Sequence, residues 1–177
     1  LSYGGNIKSL EDAKRIFEIG FEKVVINSNA FGNLKFIEEI AKYFGNQSVV
    51  GSIDIKKTFW GGQKVYSHHG RKKQTVEIIE WAKQLEYAGV GELLITSVER
   101  EGSWDGYDCE LIKSITKNVQ VPVIANGGCG SVEHIGEVVK QANASACAVG
   151  SMVVYQKKAM GVLVNFPDRE ILEEVLR

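Results

Sequence analysis

The stretch Val121-Pro-Val-Ile-Ala-Asn-Gly-Gly-Cys-Gly-Ser-Val-Glu-His134 holds a short apolar run, three glycines and a residue suited to begin a helix. The apolar run is typical of a strand in a parallel sheet covered on both faces. Gly127, Gly128 and Gly130 allow a sharp turn and a close approach to a ligand, and Ser131 is a good helix N-cap. The stretch predicts a strand, a turn and a helix. The turn is either an anion site or a plain connection.

Strand-like and helix-like patterns alternate along the rest of the chain, after a strand end and glycine turn within residues 1–7. The other predicted strands are Val24–Ile26, Ser48–Ile55, Glu92–Ser97, Val121–Ala125 and Ser145–Val149. Helices are predicted over roughly 9–20, 34–45, 76–89, 111–115, 131–141 and 168–176, and a hairpin through Gly61-Gly62. The alternation favours an α/β fold with a parallel sheet, with functional residues at the C-terminal ends of the strands.

The composition indicates one ordinary globular domain, residues 1–177. A net charge of −1 and the lack of any apolar run long enough to span a membrane argue against nucleic acid and membranes as partners. Three cysteines without CxxC spacing indicate reduced thiols, so we predict a cytoplasmic protein. Cys129 is interpreted as a small residue tolerated in the glycine turn, with a reactive thiol as the alternative.

Residues 4–28 resemble residues 127–151. Gly4-Gly5 matches Gly127-Gly128, Ser9 matches Ser131 after a one-residue deletion, and Asn27-Ser28 matches Gly150-Ser151. In each copy the backbone N–H groups of the glycine turn and the serine hydroxyl could together bind one phosphate. Two such sites on one face of a sheet predict a ligand phosphorylated at both ends. The alternative is that repeated βα units share only their packing.

Asp54 is the candidate for proton transfer between these two sites. It lies between Ile53 and Ile55 at the end of a predicted strand, where loss of solvent would raise the pKa of its carboxyl. The alternative is a structural carboxylate that pairs with Lys56 or Arg71. The histidines do not form a metal-binding set, because His68 and His69 lie in a predicted loop and His134 in a predicted helix. We therefore expect no metal and no cofactor.

Six segments together resemble the cyclase subunit of imidazole glycerol phosphate synthase, and the resemblance is collinear over nearly the whole chain. The segments are Gly4-Gly-Asn-Ile-Lys-Ser-Leu-Glu-Asp12, Lys23-Val-Val-Ile-Asn-Ser28, Ile53-Asp-Ile-Lys-Lys57, Glu92-Leu-Leu-Ile-Thr-Ser97, Asp105-Gly-Tyr-Asp108 and Ala125-Asn-Gly-Gly-Cys-Gly-Ser131. The resemblance implies a (βα)8 barrel with internal half-barrel duplication. It implies a subunit that takes ammonia from a glutaminase partner and cleaves a bis-phosphorylated ribulosyl-formimino substrate. The products would be imidazole glycerol phosphate, for histidine synthesis, and an aminoimidazole carboxamide ribotide.

The resemblance also implies roles for individual residues. Asp54 would be one of two catalytic aspartates that act as general acid and base. One phosphate would lie by Asn6, Asn27 and Ser28, and the other by Gly128, Gly150 and Ser151. Thr96, Glu101 and Gly102 would contact the middle of the substrate, and Lys23 and Glu92 would gate ammonia entry at the base of the barrel.

The chain departs from that family in length. A full barrel of this type has about 250 residues, and this sequence begins where the third strand of the family ends. We therefore expect an incomplete TIM-type barrel of five to six βα units that lacks the first two. Open strand edges would then allow self-association. A noncatalytic fragment that binds a bis-phosphate is the alternative from a different functional class.

The chain also departs from the family at single positions. Asn6 replaces a glycine, Glu99 and Glu101 replace aspartates, and Asn126 replaces a serine. The tail 160–167 also differs from the histidine enzyme. These features resemble a paralogous branch associated with acetamidino modification of surface-polysaccharide sugars, which is the alternative function within the family.

Overall fold

The computed structural model describes residues 1–59, 61–68, 70–155 and 160–177. His69, named above, lies outside these residues. Eight strands are formed by β1 Ser2–Gly4, β2 Lys23–Ile26, β3 Val49–Lys57, β4 Gln63–Ser67, β5 Lys72–Lys73, β6 Glu92–Ser97, β7 Val123–Asn126 and β8 Ala146–Cys147. Seven helices are formed by α1 Leu10–Glu18, α2 Leu34–Phe44, α3 Ile78–Tyr87, α4 Cys109–Thr116, α5 Val132–Ala142, α6 Ser151–Val154 and α7 Arg169–Leu176. None of these helices is long and apolar enough to cross a bilayer.

Six strands form one curved parallel sheet in the order β1-β2-β3-β6-β7-β8. Helices α1 to α5 connect successive strands of this sheet, as in a (βα) barrel. Within the described residues β1 pairs only with β2, and β8 only with β7, so the sheet does not close on itself. The predicted fold, an incomplete TIM-type barrel, is therefore confirmed, with six parallel strands.

Capping residues set the ends of the helices that position the site. The Ser9 hydroxyl accepts from the Asp12 N–H, and the Asp12 carboxylate accepts from the Ser9 N–H, which forms a capping box before α1. Asn33 caps α2 through the Phe36 N–H, and Gly45, at φ +89°, ends that helix. Both helices thus begin and end close to the predicted positions.

The core lies between the helices and the outer face of the sheet. Along β6 every second side chain, from Leu93 to Ser97, is buried there, while Glu92, Leu94 and Thr96 are half-buried on the inner face. The largest fully buried side chains are aliphatic: Ile37, Ile40, Ile53, Ile55, Leu85, Leu93, Ile95 and Ile115. Burying each such side chain stabilises the fold by roughly 1.5–3 kcal/mol relative to leaving it exposed. The inner face carries polar side chains toward the C-terminal ends of the strands, beyond apolar ones such as Leu94.

The structure corrects one strand and confirms a hairpin. The last predicted strand, Ser145–Val149, is reduced to β8, because the chain leaves the sheet after the Ala148 N–H donates to Ala125 O at 2.8 Å.

The predicted hairpin is present: β4 pairs antiparallel with the C-terminal half of β3, and β5 continues the sheet beyond β4. Strand β5 and helix α6 were not predicted.

The two edge strands of the sheet are short. Strand β1 has three residues and β8 has two, so each offers few unpaired backbone groups to another chain. Self-association through these edges stays a prediction, which the oligomeric state in solution tests.

A group of thiols lies beneath the glycine turn that follows β7. Cys129 is buried, and its Sγ is 3.4 Å from Sδ of Met152. The Tyr107 hydroxyl donates to Ala148 O at 2.9 Å. Burial raises the pKa of the Cys129 and Cys147 thiols and of the Tyr107 hydroxyl. A raised pKa leaves less thiolate at neutral pH, which favours the inert interpretation of Cys129.

Stability is expected to fall as the pH is raised above about 8.5, where free thiols begin to ionise. The folded protein holds its thiols protonated, so the unfolded state binds fewer protons there and the free energy of unfolding decreases with pH. Urea midpoints between pH 7 and 10 measure this, with a Cys129→Ala, Cys147→Ala double variant as the control. An equal pH dependence in the wild type and the double variant would show that ionisation of Cys129 and Cys147 does not cause the loss of stability.

Candidate functional site

A row of polar side chains crosses the inner face of the sheet near the C-terminal ends of three strands. Asp54 of β3 is in register with Thr96 of β6, and Thr96 with Asn126 of β7. Residues in register lie on neighbouring strands about 5 Å apart. The Asn126 amide donates to the Thr96 hydroxyl at 3.1 Å and to the Glu101 carboxylate at 3.2 Å. The row brings together Asp54, Thr96 and Glu101 as predicted, and adds Asn126.

The first copy of the repeat borders a cavity of about 630 Å³ at the same end of the sheet. Four predicted site residues line it: Asn6, Asn27, Ser28 and Asp54. The whole lining is formed by 4–8, 25–29, Ser52, Asp54, His68 and Arg71. The cavity therefore joins the predicted first phosphate site to the candidate proton-transfer residue.

The polar groups of this cavity are partly engaged with one another. The Ser28 hydroxyl accepts from the His68 N–H at 2.8 Å, which leaves its own proton available to a ligand. The Asn29 amide donates to Ile7 O at 2.6 Å and ties the turn after β1 to the turn after β2. The amide oxygen of Asn27 is buried and has no hydrogen-bond partner among the described residues. An orphaned buried polar atom beside a cavity is typical of a ligand site.

The backbone at Asn6 is compatible with the glycine that the resemblance implies at this position. Asn6 has φ +54° and follows Gly5 at φ +129°. Asparagine tolerates the left-handed region better than other residues with a side chain. The substitution therefore keeps the turn and adds an amide at the mouth of the cavity.

The two copies of the repeat have similar backbone torsions at three matched positions and differ at a fourth, because Gly127 has φ +92° while Gly4 lies in strand β1. The φ angles of Gly5 and Gly128 are +129° and +108°. Ser9 and Ser131 are both extended N-caps, at φ −144°, ψ 160° and φ −153°, ψ 168°. Asn27 has φ −122° and ψ −94°, and the matching residue Gly150 has φ −124° and ψ −88°. The repeat seen in the sequence is thus confirmed in the backbone at the second glycine, the N-cap serine and the turn after the second strand of each copy.

Two glycines of the second copy meet a packing requirement, while the predicted close approach of a ligand to this turn stays a prediction. A side chain on Gly128 would come well inside van der Waals contact with the Gly106 carbonyl oxygen, and one on Gly130 would lie 2.5 Å from Trp104 O. The Gly106 N–H donates to Gly128 O at 2.8 Å. The loop 98–106 therefore packs directly on this turn, and packing accounts for these two glycines.

The remaining residues of the second predicted phosphate site lie beside that loop. A Cβ on Gly127 would lie 3.5 Å from the Glu101 carboxylate, and one on Gly102 would lie 3.9 Å from the Ser151 hydroxyl. Gly150 has open space around it. The structure thus groups Glu101, Gly102, Gly127 and Ser151 at the end of the row that lies away from the cavity.

The N-terminus of helix α1, which follows the first glycine turn, is already occupied by a carboxylate of the protein itself. The Asp12 carboxylate accepts from the Lys8 N–H at 3.0 Å and the Ser9 N–H at 3.1 Å, and these bonds hold the pKa of Asp12 below its usual range. At the second helix, Ser131 occupies the N-cap position without capping the backbone. Its side chain instead bonds Glu133 and lowers the pKa of that carboxyl. Helix α1 therefore offers no vacant N-terminus to a phosphate.

An ion pair lies at the opposite end of the sheet. Lys23 begins β2 and Glu92 begins β6, and the Lys23 ammonium binds the Glu92 carboxylate across the start of β3. Both side chains are half-buried. The two residues predicted to gate ammonia are therefore in contact at the N-terminal face.

Four residues of the site were not predicted from the sequence. Ser52 precedes Asp54 by two residues, so strand periodicity could have placed it on the same face, and Lys8 follows Asn6 by two residues in the first glycine turn. His68 and Arg71 line the cavity because of long-range folding, and they carry no local signal. Among the described residues, no group of three or more His, Cys, Asp or Glu is placed to bind a metal ion.

Comparisons with known proteins identify the family. A family model described as histidine biosynthesis protein matches residues 1–159. A Pseudomonas aeruginosa protein named "Putative imidazole glycerol phosphate synthase subunit hisF2" is 46% identical over 95% of this chain and 67% of its own length. Proteins named imidazole glycerol phosphate synthase subunit HisF are similar as well. The one from Clostridium botulinum is 37% identical over 96% of this chain and 68% of its own length. The one from Methanococcus vannielii is 38% identical over 89% of this chain and 65% of its own length.

This chain spans about two thirds of the length of these relatives. The match is nonetheless collinear with almost all of the chain, and it includes both copies of the repeat. The chain belongs to the histidine biosynthesis protein family and, within it, is a relative of the HisF subunits of imidazole glycerol phosphate synthase.

Proposed function

We propose that the protein is an ammonia-dependent cyclase and lyase subunit of the imidazole glycerol phosphate synthase type. It would convert a bis-phosphorylated ribulosyl-formimino aminoimidazole carboxamide ribotide to imidazole glycerol phosphate and aminoimidazole carboxamide ribotide, in histidine biosynthesis. One observation carries the proposal: two turns with matching backbone torsions lie on either side of Asp54. A substrate with a phosphate at each end would place its middle over that carboxylate.

The arrangement suggests separate roles for the side chains in binding the phosphates, positioning the substrate and transferring protons. The Ser28 hydroxyl and the Asn27 amide bind one phosphate, while the Ser151 hydroxyl and the backbone at Gly150 bind the other. Thr96 and Asn126 position the middle of the substrate through hydrogen bonds. The Asp54 carboxylate then takes and returns protons as ammonia adds, the substrate is cleaved and the imidazole ring closes.

A glutaminase subunit is the proposed source of ammonia, bound at the N-terminal face of the sheet. Helices of a (βα) barrel run antiparallel to the strands, so the C-terminal ends of α1, α2 and α3 lie at that face. Each end exposes one large apolar side chain: Ile19 at 76%, Tyr43 at 62% and Tyr87 at 91%. Exposed apolar side chains around the Lys23–Glu92 pair suit a protein interface through which ammonia passes.

Tyr87→Arg is expected to weaken binding of the glutaminase subunit by at least about tenfold, because aromatic anchors commonly contribute 2 kcal/mol or more to an interface. Isothermal titration of the purified partner gives the dissociation constant. Tyr155→Arg, a half-exposed tyrosine that follows α6 after β8, is the matched control and should leave the constant unchanged. Equal effects of the two substitutions would place the partner elsewhere.

The proposed reaction is tested with the purified protein, the bis-phosphorylated substrate and an ammonium salt. Formation of imidazole glycerol phosphate supports the proposal. Tight binding of the substrate without turnover would instead indicate a noncatalytic protein that binds a bis-phosphate.

A further inference from the structure

The positive charge of the chain is concentrated in the β3–β4–β5 hairpin. Residues 56–73 contain six Lys and Arg and no Asp or Glu. The net charge of the whole chain is −1, so the other residues together carry −7. A basic segment beside a cavity with hydroxyl and amide donors suits an anionic ligand.

Several of these charges have partners within the protein. The Lys64 ammonium binds the Glu77 carboxylate, and the Lys56 ammonium lies 5.8 Å from the centre of the Tyr66 ring. In contrast, the Arg71 guanidinium makes no ion pair or hydrogen bond with any other described residue, although it lines the cavity. The Lys8 ammonium, on the first glycine turn, likewise lines the cavity without a described partner.

Hydrogen bonds hold the turn that carries Arg71 over the first phosphate site. The His68 N–H donates to the Ser28 hydroxyl at 2.8 Å, and the Arg71 N–H donates to Ser67 O at 3.1 Å. The Gln74 amide donates to the Ser67 hydroxyl at 2.7 Å. The backbone at Arg71 is therefore held at the rim before any ligand binds, so binding has to order only the side chain.

The charge balance of the cavity requires cations. The N-terminus of α1 is already occupied by the Asp12 carboxylate, so this helix end cannot offset the charge of a bound phosphate. Side-chain cations have to supply that offset. Lys8 and Arg71 are the Lys and Arg side chains among the residues that line the cavity.

We propose that Arg71 and Lys8 form a cationic clamp on the phosphate monoester bound between Asn6 and Ser28. Arg71 gives paired N–H donors to two phosphate oxygens, and Lys8 supplies a second positive charge. This inference rests on the proposed function for the identity of the substrate, but not for the class of ligand. The β4–β5 turn, through Arg71, would select a ligand whose end is phosphorylated over one whose end is neutral.

The test uses inorganic phosphate and glycerol 3-phosphate as probes, with binding followed by the backbone amide signals of Asn6 and Ser28. The Ser151 amide reports the second site separately. Arg71→Gln is expected to weaken binding at the first site by about tenfold or more, the loss typical of a charge-assisted hydrogen bond. Arg71→Lys should restore part of it.

Lys72→Gln is the matched control, because it removes the same charge from the neighbouring β5 strand and should change binding by about twofold at most, as is typical of an exposed charge. Equal losses in Arg71→Gln and Lys72→Gln would overturn the clamp and leave only a general attraction. A loss at the Ser151 amide but not at Asn6 and Ser28 would also overturn it. Normal turnover with an unchanged KM in Arg71→Gln would refute the clamp while the proposed function stands.

Discussion

Asp54→Asn is expected to lower kcat by a factor of about 10²–10⁴, the contribution typical of a general acid or base. Asparagine has nearly the same shape as aspartate, so the row with Thr96 and Asn126 and the lining of the cavity should be kept. What is lost is the ability to take and return a proton. KM should change little, because the phosphate groups are bound at the two turns.

Steady-state turnover with ammonium salt and the bis-phosphorylated substrate measures this. Glu110→Gln, an exposed carboxylate in the first turn of α4, removes a charge far from the cavity and should leave kcat unchanged. If Asp54→Asn turns over at the wild-type rate, Asp54 is a structural carboxylate and does not act as the general acid or base.

Gly128→Ala is expected to destabilise the fold by about 3 kcal/mol or more, because overpacking and a left-handed backbone act together at this residue. The new methyl group would clash with the Gly106 carbonyl oxygen. In addition, Gly128 has φ +108°, which alanine rarely adopts. For a domain of this size the melting temperature should fall by roughly 2–4 °C for each kcal/mol.

Gly161→Ala is the matched control for that experiment. Gly161 has open space around it and its φ lies outside the left-handed region, so the change in stability should stay within about 0.5 kcal/mol. Calorimetric or urea unfolding of both variants decides the point. Equal melting temperatures of Gly128→Ala and the wild type would mean that the loop 98–106 does not pack on the turn as the structure has it.

The local features of the fold could be predicted from the sequence because each has a local cause. The capping box at Ser9 and Asp12 sets the start of α1, and apolar spacing sets α2. The repeat predicted that Asn27 and Gly150 occupy equivalent places, and their torsions agree within a few degrees. Repetition in sequence is informative here because the same backbone conformation selects the same small residues.

Other features depend on contacts between distant parts of the chain. The glycine at position 128 is needed because Gly106 lies against it, and nothing near Gly128 in the sequence indicates that partner. Arg71 reaches the cavity because the hairpin folds back and His68 bonds Ser28, 40 residues away. The end of β8 at Cys147 likewise depends on how the following residues pack, and not on their β propensity.

The central claim is that two matched turns bind the two ends of one bis-phosphorylated ligand across Asp54. The most direct test compares the dissociation constant of the bis-phosphorylated substrate with those of two analogues, each lacking one terminal phosphate. The account predicts that either loss weakens binding by at least about tenfold, since each phosphate makes several charge-assisted hydrogen bonds. If one of the two analogues binds as tightly as the full substrate, the turn at that end is a plain βα connection and the account is wrong.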